Sequence, residues 1–245
     1  MIKLYHGDCL KLMFDLPDNS VDMVCCDMPY GTTACKWDTV LPLDMLWYHY
    51  KRIVKDNGAI VLTASQPFTS TLIHSNPKTF KYCWIWEKSL FTNFAMVKKQ
   101  PAKKHEDIVV FYDKQPSFHP QMESGKPYKD ARHNGCRNAT VGSEKSVKRV
   151  PINNTGTRYP SSVQKFSNGN NGNVHPTQKP VELIEYLIKT YTNEGDTVLD
   201  NCMGSGTTGV ACQNLNRKFI GIELDDKYFQ IAKDRIEAVK AEMKD

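Results

Sequence analysis

The sequence predicts an α/β fold with one mostly parallel sheet, interrupted by an irregular insertion. Three observations predict it. Short apolar runs alternate with helical stretches over residues 1–112, the alternation resumes after His175, and residues 113–174 lack it. Each flank is too small for a full α/β domain, so the two are expected to complete one sheet covered on both faces. A chain of 245 residues can bury such a core and still carry an insertion.

In the first flank, strands are expected at Lys3–His6, Val21–Cys26, Ala59–Thr63, Tyr82–Trp86 and Asp107–Tyr112. Helices are expected around Cys9–Phe14, Asp44–Val54 and Phe68–His74, with Asp56-Asn57-Gly58 ending one of them. In the second flank, Ile184, Leu187, Ile188 and Tyr191 keep helical spacing after Pro180. A strand at Thr197–Asp200, a helix at Thr207–Asn214 and a strand at Phe219–Glu223 follow. Tyr228, Ile231, Ala232, Arg235 and Ile236 mark a final helix started by Asp225 or Asp226.

Residues 113–174 are rich in Asn, Gly, Ser, Pro and Lys, and too few apolar residues recur there to build an independent core. This segment also holds the charge asymmetry. It carries ten Lys and Arg against four Asp and Glu, which leaves 22 basic and 23 acidic residues elsewhere in a chain of net charge +5. Positive charge gathered in one segment points to a polyanionic partner. The eight cysteines form no C-x-x-C pair, so buried free thiols in a reducing cytoplasm are expected and no metal site is. No run of eighteen apolar residues and no secretion-signal pattern is present, so no membrane partner is expected.

Two turns carry chemistry. Gly204-x-Gly206-x-x-Gly209 follows the strand ending at Asp200 and opens a helix, while Glu223 ends the next strand. Such glycines allow close approach of a nucleotide-like ligand, and an acid at the following strand end accepts from ribose hydroxyls. A Walker phosphate loop is excluded because no Lys-Ser/Thr follows the last glycine. A nicotinamide enzyme is disfavoured, since only 36 residues follow Gly209. The other turn, Asp27-Met28-Pro29-Tyr30, sets a carboxylate, a rigid carbonyl and an aromatic face at the end of an apolar strand.

Together, about 170 residues apart and in this order, the two turns resemble the amino-group DNA methyltransferases that use S-adenosylmethionine, in the permuted arrangement called beta. Asp200-Asn201-Cys202-Met203-Gly204-Ser205-Gly206-Thr207-Thr208 is similar to that family's cofactor motif, with Asn201 and Cys202 in place of Pro-Phe. Met28 likewise replaces the first proline of Asp-Pro-Pro-Tyr. His175-Pro176-Thr177-Gln178-Lys179-Pro180 and Gly7-Asp8-Cys9-Leu10 resemble its remaining cofactor segments. The resemblance covers roughly 1–112 and 175–245, and implies a Rossmann-like methyltransferase sheet with the catalytic motif before the cofactor motif.

The resemblance further implies that Asp8, Cys9, Lys179, Asp200, Gly204, Gly206, Thr207, Thr208 and Glu223 hold S-adenosylmethionine, with Lys179 on its carboxylate and Asp8 near its adenine. Asp27, Pro29 and Tyr30 would act on the base. Asp27 and a carbonyl of Met28 or Pro29 would accept from the target amine, and Tyr30 would stack on the ring. A base paired in duplex DNA must be flipped out to reach them. Residues 31–38 are placed to close over the turn, Phe94 to be a second aromatic face, and Lys98, Lys99, Lys103 and Lys104 to hold phosphates. The expected partner is double-stranded DNA, read mainly by 113–174, and a homodimer is left open.

The Asp-x-Pro-Tyr turn favours adenine N6 as the acceptor. Cytosine N4 methylation stays open as a rival, as does a DNA-binding relative that has lost catalysis. Protein-glutamine methylation is disfavoured because those enzymes place the cofactor motif first. No nuclease motif is visible.

Overall fold

The computed structural model describes residues 1–32, 38–130, 152–168 and 178–242. The chain divides into two units, one formed by residues 1–119 and 162–245, the other by Pro120–Ser161.

The larger unit opens with β1 (Ile2–His6), α1 (Cys9–Leu12), β2 (Val21–Cys26) and α2 (Leu43–Ile53). It continues through β3 (Val54–Ala64), α3 (Phe68–Ser75), β4 (Phe80–Lys88) and β5 (His105–Phe111). The smaller unit holds β6 (Glu123–Ser124), β7 (Tyr128–Asp130), β8 (Ile152–Asn154) and β9 (Thr157–Arg158). The chain then returns through β10 (Val163–Phe166), α4 (Val181–Tyr191), β11 (Thr197–Asp200), α5 (Thr207–Asn214), β12 (Lys218–Glu223) and α6 (Asp226–Glu242).

Eight strands form one sheet in the order β1-β12-β11-β2-β3-β5-β4-β10. Only β5 runs against its neighbours; the remaining pairings are parallel. The mostly parallel sheet expected from the alternation is therefore present. Its strands are buried on both faces, as the apolar runs require. On β2, Val24 and Cys26 join one core cluster, while Met23 and Cys25 join another. The first cluster takes Leu46, Tyr50 and Ile53 of α2 and Phe68 and Leu72 of α3; the second takes Leu183, Leu187 and Ile188 of α4 and Ala232 and Ile236 of α6. Helical spacing thus becomes burial, and two helical layers enclose the sheet. Asp225 starts α6 through its side chain, which accepts from Tyr228 N at 3.0 Å.

Two expectations are corrected. Asp56-Asn57-Gly58 does not end a helix: α2 stops at Ile53 and the chain passes directly into β3. The three residues sit within that strand, where the register on β2 jumps from Val21↔Val54 to Met23↔Ala59. A bulge and a helix stop use the same residue types, and only strand pairing tells them apart. The irregular segment is also wider in sequence than the second unit. β10 lies inside 113–174 yet pairs in parallel with β4 as the edge of the main sheet. A four-residue edge strand of mixed polarity, Val163-Gln164-Lys165-Phe166, leaves little pattern to read.

In the smaller unit, β6 pairs with β9 and β7 with β8, both antiparallel. Every residue of this unit whose burial is described is exposed or only partly buried. Arg158 lies over the Tyr128 ring at 4.7 Å and donates to Asn154 Oδ1 at 2.5 Å.

Candidate active site

Sheet order does the decisive work. β1, β12, β11 and β2 are adjacent and parallel, so the residues at their carboxyl ends line up along one edge. Asp8 follows β1, Glu223 ends β12, Asp200 ends β11 and Asp27 follows β2. The pairing Val198↔Met23 and Leu199↔Val24 brings the two turns side by side. All four acids line one cavity of about 1190 Å³, together with Cys9, Pro29, Tyr30, Lys179, Gly204, Thr207 and Thr208. This is where open α/β sheets bind ligands.

On the glycine-turn side, Glu223 bridges two backbone amides, Gly204 N at 2.8 Å and Asp225 N at 2.8 Å. Asp200 accepts from Thr208 Oγ1 at 2.6 Å and Cys202 N at 3.1 Å, tying the strand end to the first turn of α5. Burial pushes the Asp200 carboxyl up to about 6, even though these donors favour its charged form. Asp8 caps α1 by accepting from Leu10 N at 2.9 Å. The glycines divide their labour. Gly204 has φ +50, and a Cβ there would meet no atom within 4 Å, so its backbone opens onto free space. Gly206 has φ +80, and a Cβ there would lie 2.8 Å from Ala232 Cβ of α6. Its bareness serves helix packing.

Opposite stands a charge network. The Asp27 carboxylate accepts from Lys179 Nζ at 2.6 Å through Oδ2, from Tyr30 Oη at 2.7 Å through Oδ1, and from the Thr63 hydroxyl. Lys179, only 7 % exposed, also pairs with Glu106 at 3.4 Å, and Glu106 pairs with Lys88. Lys88, Glu106, Lys179 and Asp27 therefore alternate in sign across the cavity wall, which is how buried charges become tolerable. Burial alone would lower the Lys179 ammonium; Asp27 and Glu106 outweigh it and hold it above the ordinary range. Burial pushes Glu106 up, but Lys179 and Lys88 keep it below the usual value. Burial drives the Tyr30 phenol well up, so it remains neutral.

Lys179 thus stands on Asp27, where the sequence pointed to a ligand carboxylate. Tyr30 stacks on Phe68 with centroids 5.4 Å apart, Phe94 packs against Phe91 at 4.3 Å, and Tyr30, Phe91 and Phe94 all line the cavity. Lys103 donates to Ser65 Oγ, and Lys104 pairs with Glu87 at 3.4 Å. Lys88 belongs to Trp86-Glu87-Lys88, which resembles the family's base-pocket segment, whereas Thr63 and Glu106 were not found from the sequence. Each lies in or beside an apolar strand, and no spacing marks which strand residue faces the cavity.

These arrangements agree with what the chain is similar to. The family model described as DNA methylase, for N6 and N4 methyltransferases, matches residues 21–234. The chain belongs to this DNA methylase family. Among its relatives, Type II methyltransferase M2.DpnII of Streptococcus pneumoniae is 53% identical over 96% of this chain and 89% of that protein. DNA adenine methyltransferase YhdJ of Escherichia coli (strain K12) is 27% identical over 96% of this chain and 82% of that one. The crystal structure of an M1.HpyAVI-SAM complex superposes with a TM-score of 0.64 at 28% identity, covering 96% of this chain and 99% of that one. The cytosine-N4-specific PvuII DNA methyltransferase, 16% identical over 98% of this chain and 90% of that one, shares the fold with a TM-score of 0.68.

The methylase absorbs its departures from the family motifs by packing. Met28 is buried in the core cluster that includes Cys26 and Phe68. Asn201 Oδ1 accepts from the buried Tyr50 hydroxyl at 2.6 Å, which ties the turn to α2. Asp38 accepts from Gly31 N at 2.8 Å and Thr32 N at 2.9 Å, bracing the start of the segment expected to close over the site; Thr33–Trp37 lie outside the described residues. His175, Pro176 and Thr177 also lie outside them. Among the described residues no cluster of metal-binding side chains occurs, and no helix is long and apolar enough to cross a membrane.

Proposed function

We infer that this DNA methylase transfers a methyl group from S-adenosylmethionine to the exocyclic amine of a flipped base in double-stranded DNA, adenine at N6. The carrying observation is that Asp27 and the Gly204 turn share one cavity at neighbouring strand ends. The Asp-x-Pro-Tyr turn supports adenine, as does the relative named a DNA adenine methyltransferase. The relatives named Type II methyltransferases support a modification enzyme of that kind.

The residues fit the cofactor. Open space above Gly204 admits it, Glu223 and Asp8 supply acceptors for its hydroxyls and amine, and Thr207, Thr208, Cys9 and Asp200 complete that wall. When bound, S-adenosylmethionine supplies an electrophilic sulfonium methyl. The protein must then make a poor nucleophile attack, because the amine lone pair is delocalised into the ring. Asp27 accepts one N–H, and the carbonyl at Met28 or Pro29 accepts another. Both acceptors favour the tetrahedral nitrogen and the positive charge that develops on it. Tyr30 holds the ring, with its hydroxyl donating to Asp27. Lys179 fixes Asp27 until an N–H arrives and offers a cation for the cofactor carboxylate. Holding both reactants in line supplies much of the remaining acceleration.

Residues 120–161 are the target-recognition region in this reading. They carry eight Lys and Arg against three Asp and Glu, which equals the net charge of the whole chain.

The test is expression in cells free of DNA methylation, followed by nucleoside mass spectrometry and sequencing that detects modified bases. N6-methyladenine at one short sequence is expected. N4-methylcytosine would overturn the acceptor, and unmodified DNA would overturn the function.

A further inference from the structure

The loop between β4 and β5, residues 89–104, carries an exposed apolar crest on the rim of the cavity. Leu90 is 59% exposed and Phe94 65%, with Met96 and Val97 beside them. Leu90, Phe91 and Phe94 also line the cavity that contains Asp27. Exposed apolar side chains gathered at one place mark a contact surface.

The loop is braced from within. Asn93 accepts from Lys103 N at 2.6 Å and donates to Pro101 O at 2.9 Å, and Thr92 N reaches Lys103 O at 3.1 Å. At its base, Asn168 accepts from Leu90 N at 2.8 Å and donates to Leu90 O at 3.0 Å. The crest is therefore held out in a set conformation. Its charge names the partner: from Ser89 to Lys104 there are four lysines and no acidic residue, with Lys98 and Lys99 exposed while Lys103 holds Ser65 and Lys104 pairs with Glu87. Apolar side chains flanked by cations suit a partner that is anionic outside and stacked inside, which describes duplex DNA.

We propose that residues 89–104 are a wedge that enters the duplex beside the target base and fills the space it vacates. The inference rests on the proposed function, since only an enzyme that extrudes a base leaves such a gap. Apolar side chains inserted between base steps part and kink them, and a parted step eases the unstacking and unpairing that flipping a base requires. Because the crest and Asp27 share one cavity, wedge and pocket act on the same nucleotide. Lys98 and Lys99, both exposed, are placed to hold the flanking phosphates.

The test uses the full chain with Leu90→Ala and Phe94→Ala combined. Substrates are two duplexes bearing the sequence identified by modified-base sequencing. In one the target base is paired; in the other it faces an abasic position and is already free. On the paired duplex kcat/KM is expected to fall at least tenfold, and on the unpaired duplex less than threefold. The fluorescence rise of 2-aminopurine at the target, read without turnover, is expected to shrink on the paired duplex only. Equal losses on both duplexes would mean that Phe94 grips the flipped base or that the loop merely aids binding, and would overturn the wedge. No loss on either would also overturn it. A change in mass by light scattering without a change on DNA would reassign the crest to contact between copies. A parent enzyme that methylates neither duplex removes the function itself, an outcome distinct from a parent that methylates both while the variant loses nothing.

Discussion

Lys179 Nζ lies 2.6 Å from Asp27 Oδ2, joining two residues 152 positions apart through a buried ion pair. One comes from the turn after β2, the other from just before α4. Both side chains line the cavity that also holds the Gly204 turn.

Asp27→Ala should reduce methyl transfer by at least a hundredfold while S-adenosylmethionine affinity changes less than threefold. In the proposed reaction the carboxylate accepts from the amine, and Lys179 keeps Glu106 as its partner when Asp27 is lost. Single-turnover methylation and calorimetry on the same preparation check it. Turnover within tenfold of the parent would refute the assignment.

Glu223→Ala should weaken S-adenosylmethionine by roughly 1.5–3 kcal/mol, about ten- to a hundredfold, from lost hydrogen bonds to a charged acceptor. The loss has two sources, because Glu223 also holds Gly204 N and Asp225 N. Calorimetry showing unchanged affinity would separate Glu223 from the cofactor.

Gly206→Ala and Gly204→Ala should fail differently. Both place a side chain at positive φ, which costs about 1–2 kcal/mol. At Gly206 the new Cβ also meets Ala232, so the melting temperature should drop further. At Gly204 the Cβ enters open space on the cavity side, so cofactor affinity should suffer more than stability. Thermal denaturation with and without S-adenosylmethionine distinguishes the two.

Asp200→Asn should flatten the pH dependence of stability. The folded carboxyl titrates near 6 against 3.8 when exposed, so the folded state binds the extra proton between those values. The parent therefore loses stability from this group as pH rises from about 4 through 6, by roughly 2–3 kcal/mol. Denaturant titrations of parent and variant at pH 4.5 and 7 should diverge by that order. Parallel curves would mean that the buried carboxyl is not perturbed.

Neutralising Lys126, Lys129, Arg132 and Arg137 should flatten the salt dependence of DNA binding, whose slope of log affinity against log salt is about −0.9 per phosphate contact on duplex DNA. Cofactor affinity should survive. A deletion test should remove 120–161 and not 113–174, because the wider cut takes β10 from the sheet. Unchanged site choice in the shortened enzyme would place recognition elsewhere.

Much of the architecture was legible because its signals are local. Apolar alternation on β2 and β12, helical spacing on α4, and glycines before α5 each follow from neighbours a few residues apart. The two turns were legible for the same reason: Asp27-Met28-Pro29-Tyr30 and the Gly204 turn are short and chemically distinctive. What failed needed a partner strand to interpret, as with Asp56-Asn57-Gly58 inside β3 and the edge strand β10.

Local patterns in the chain carry the fold class, the family resemblance and the residues of both turns. Only tertiary structure decided which side chains meet. Pairing of β11 with β2 places Asp200 beside Asp27, and packing of β3, β4 and β5 delivers Thr63, Lys88 and Glu106 to the Asp27–Lys179 pair. It also decided that Gly206 is bare for α6 while Gly204 is bare for the cavity. The physical reason is that spacing encodes the face a residue takes on its own strand or helix. Which buried charge answers another depends on contacts between elements far apart in the chain.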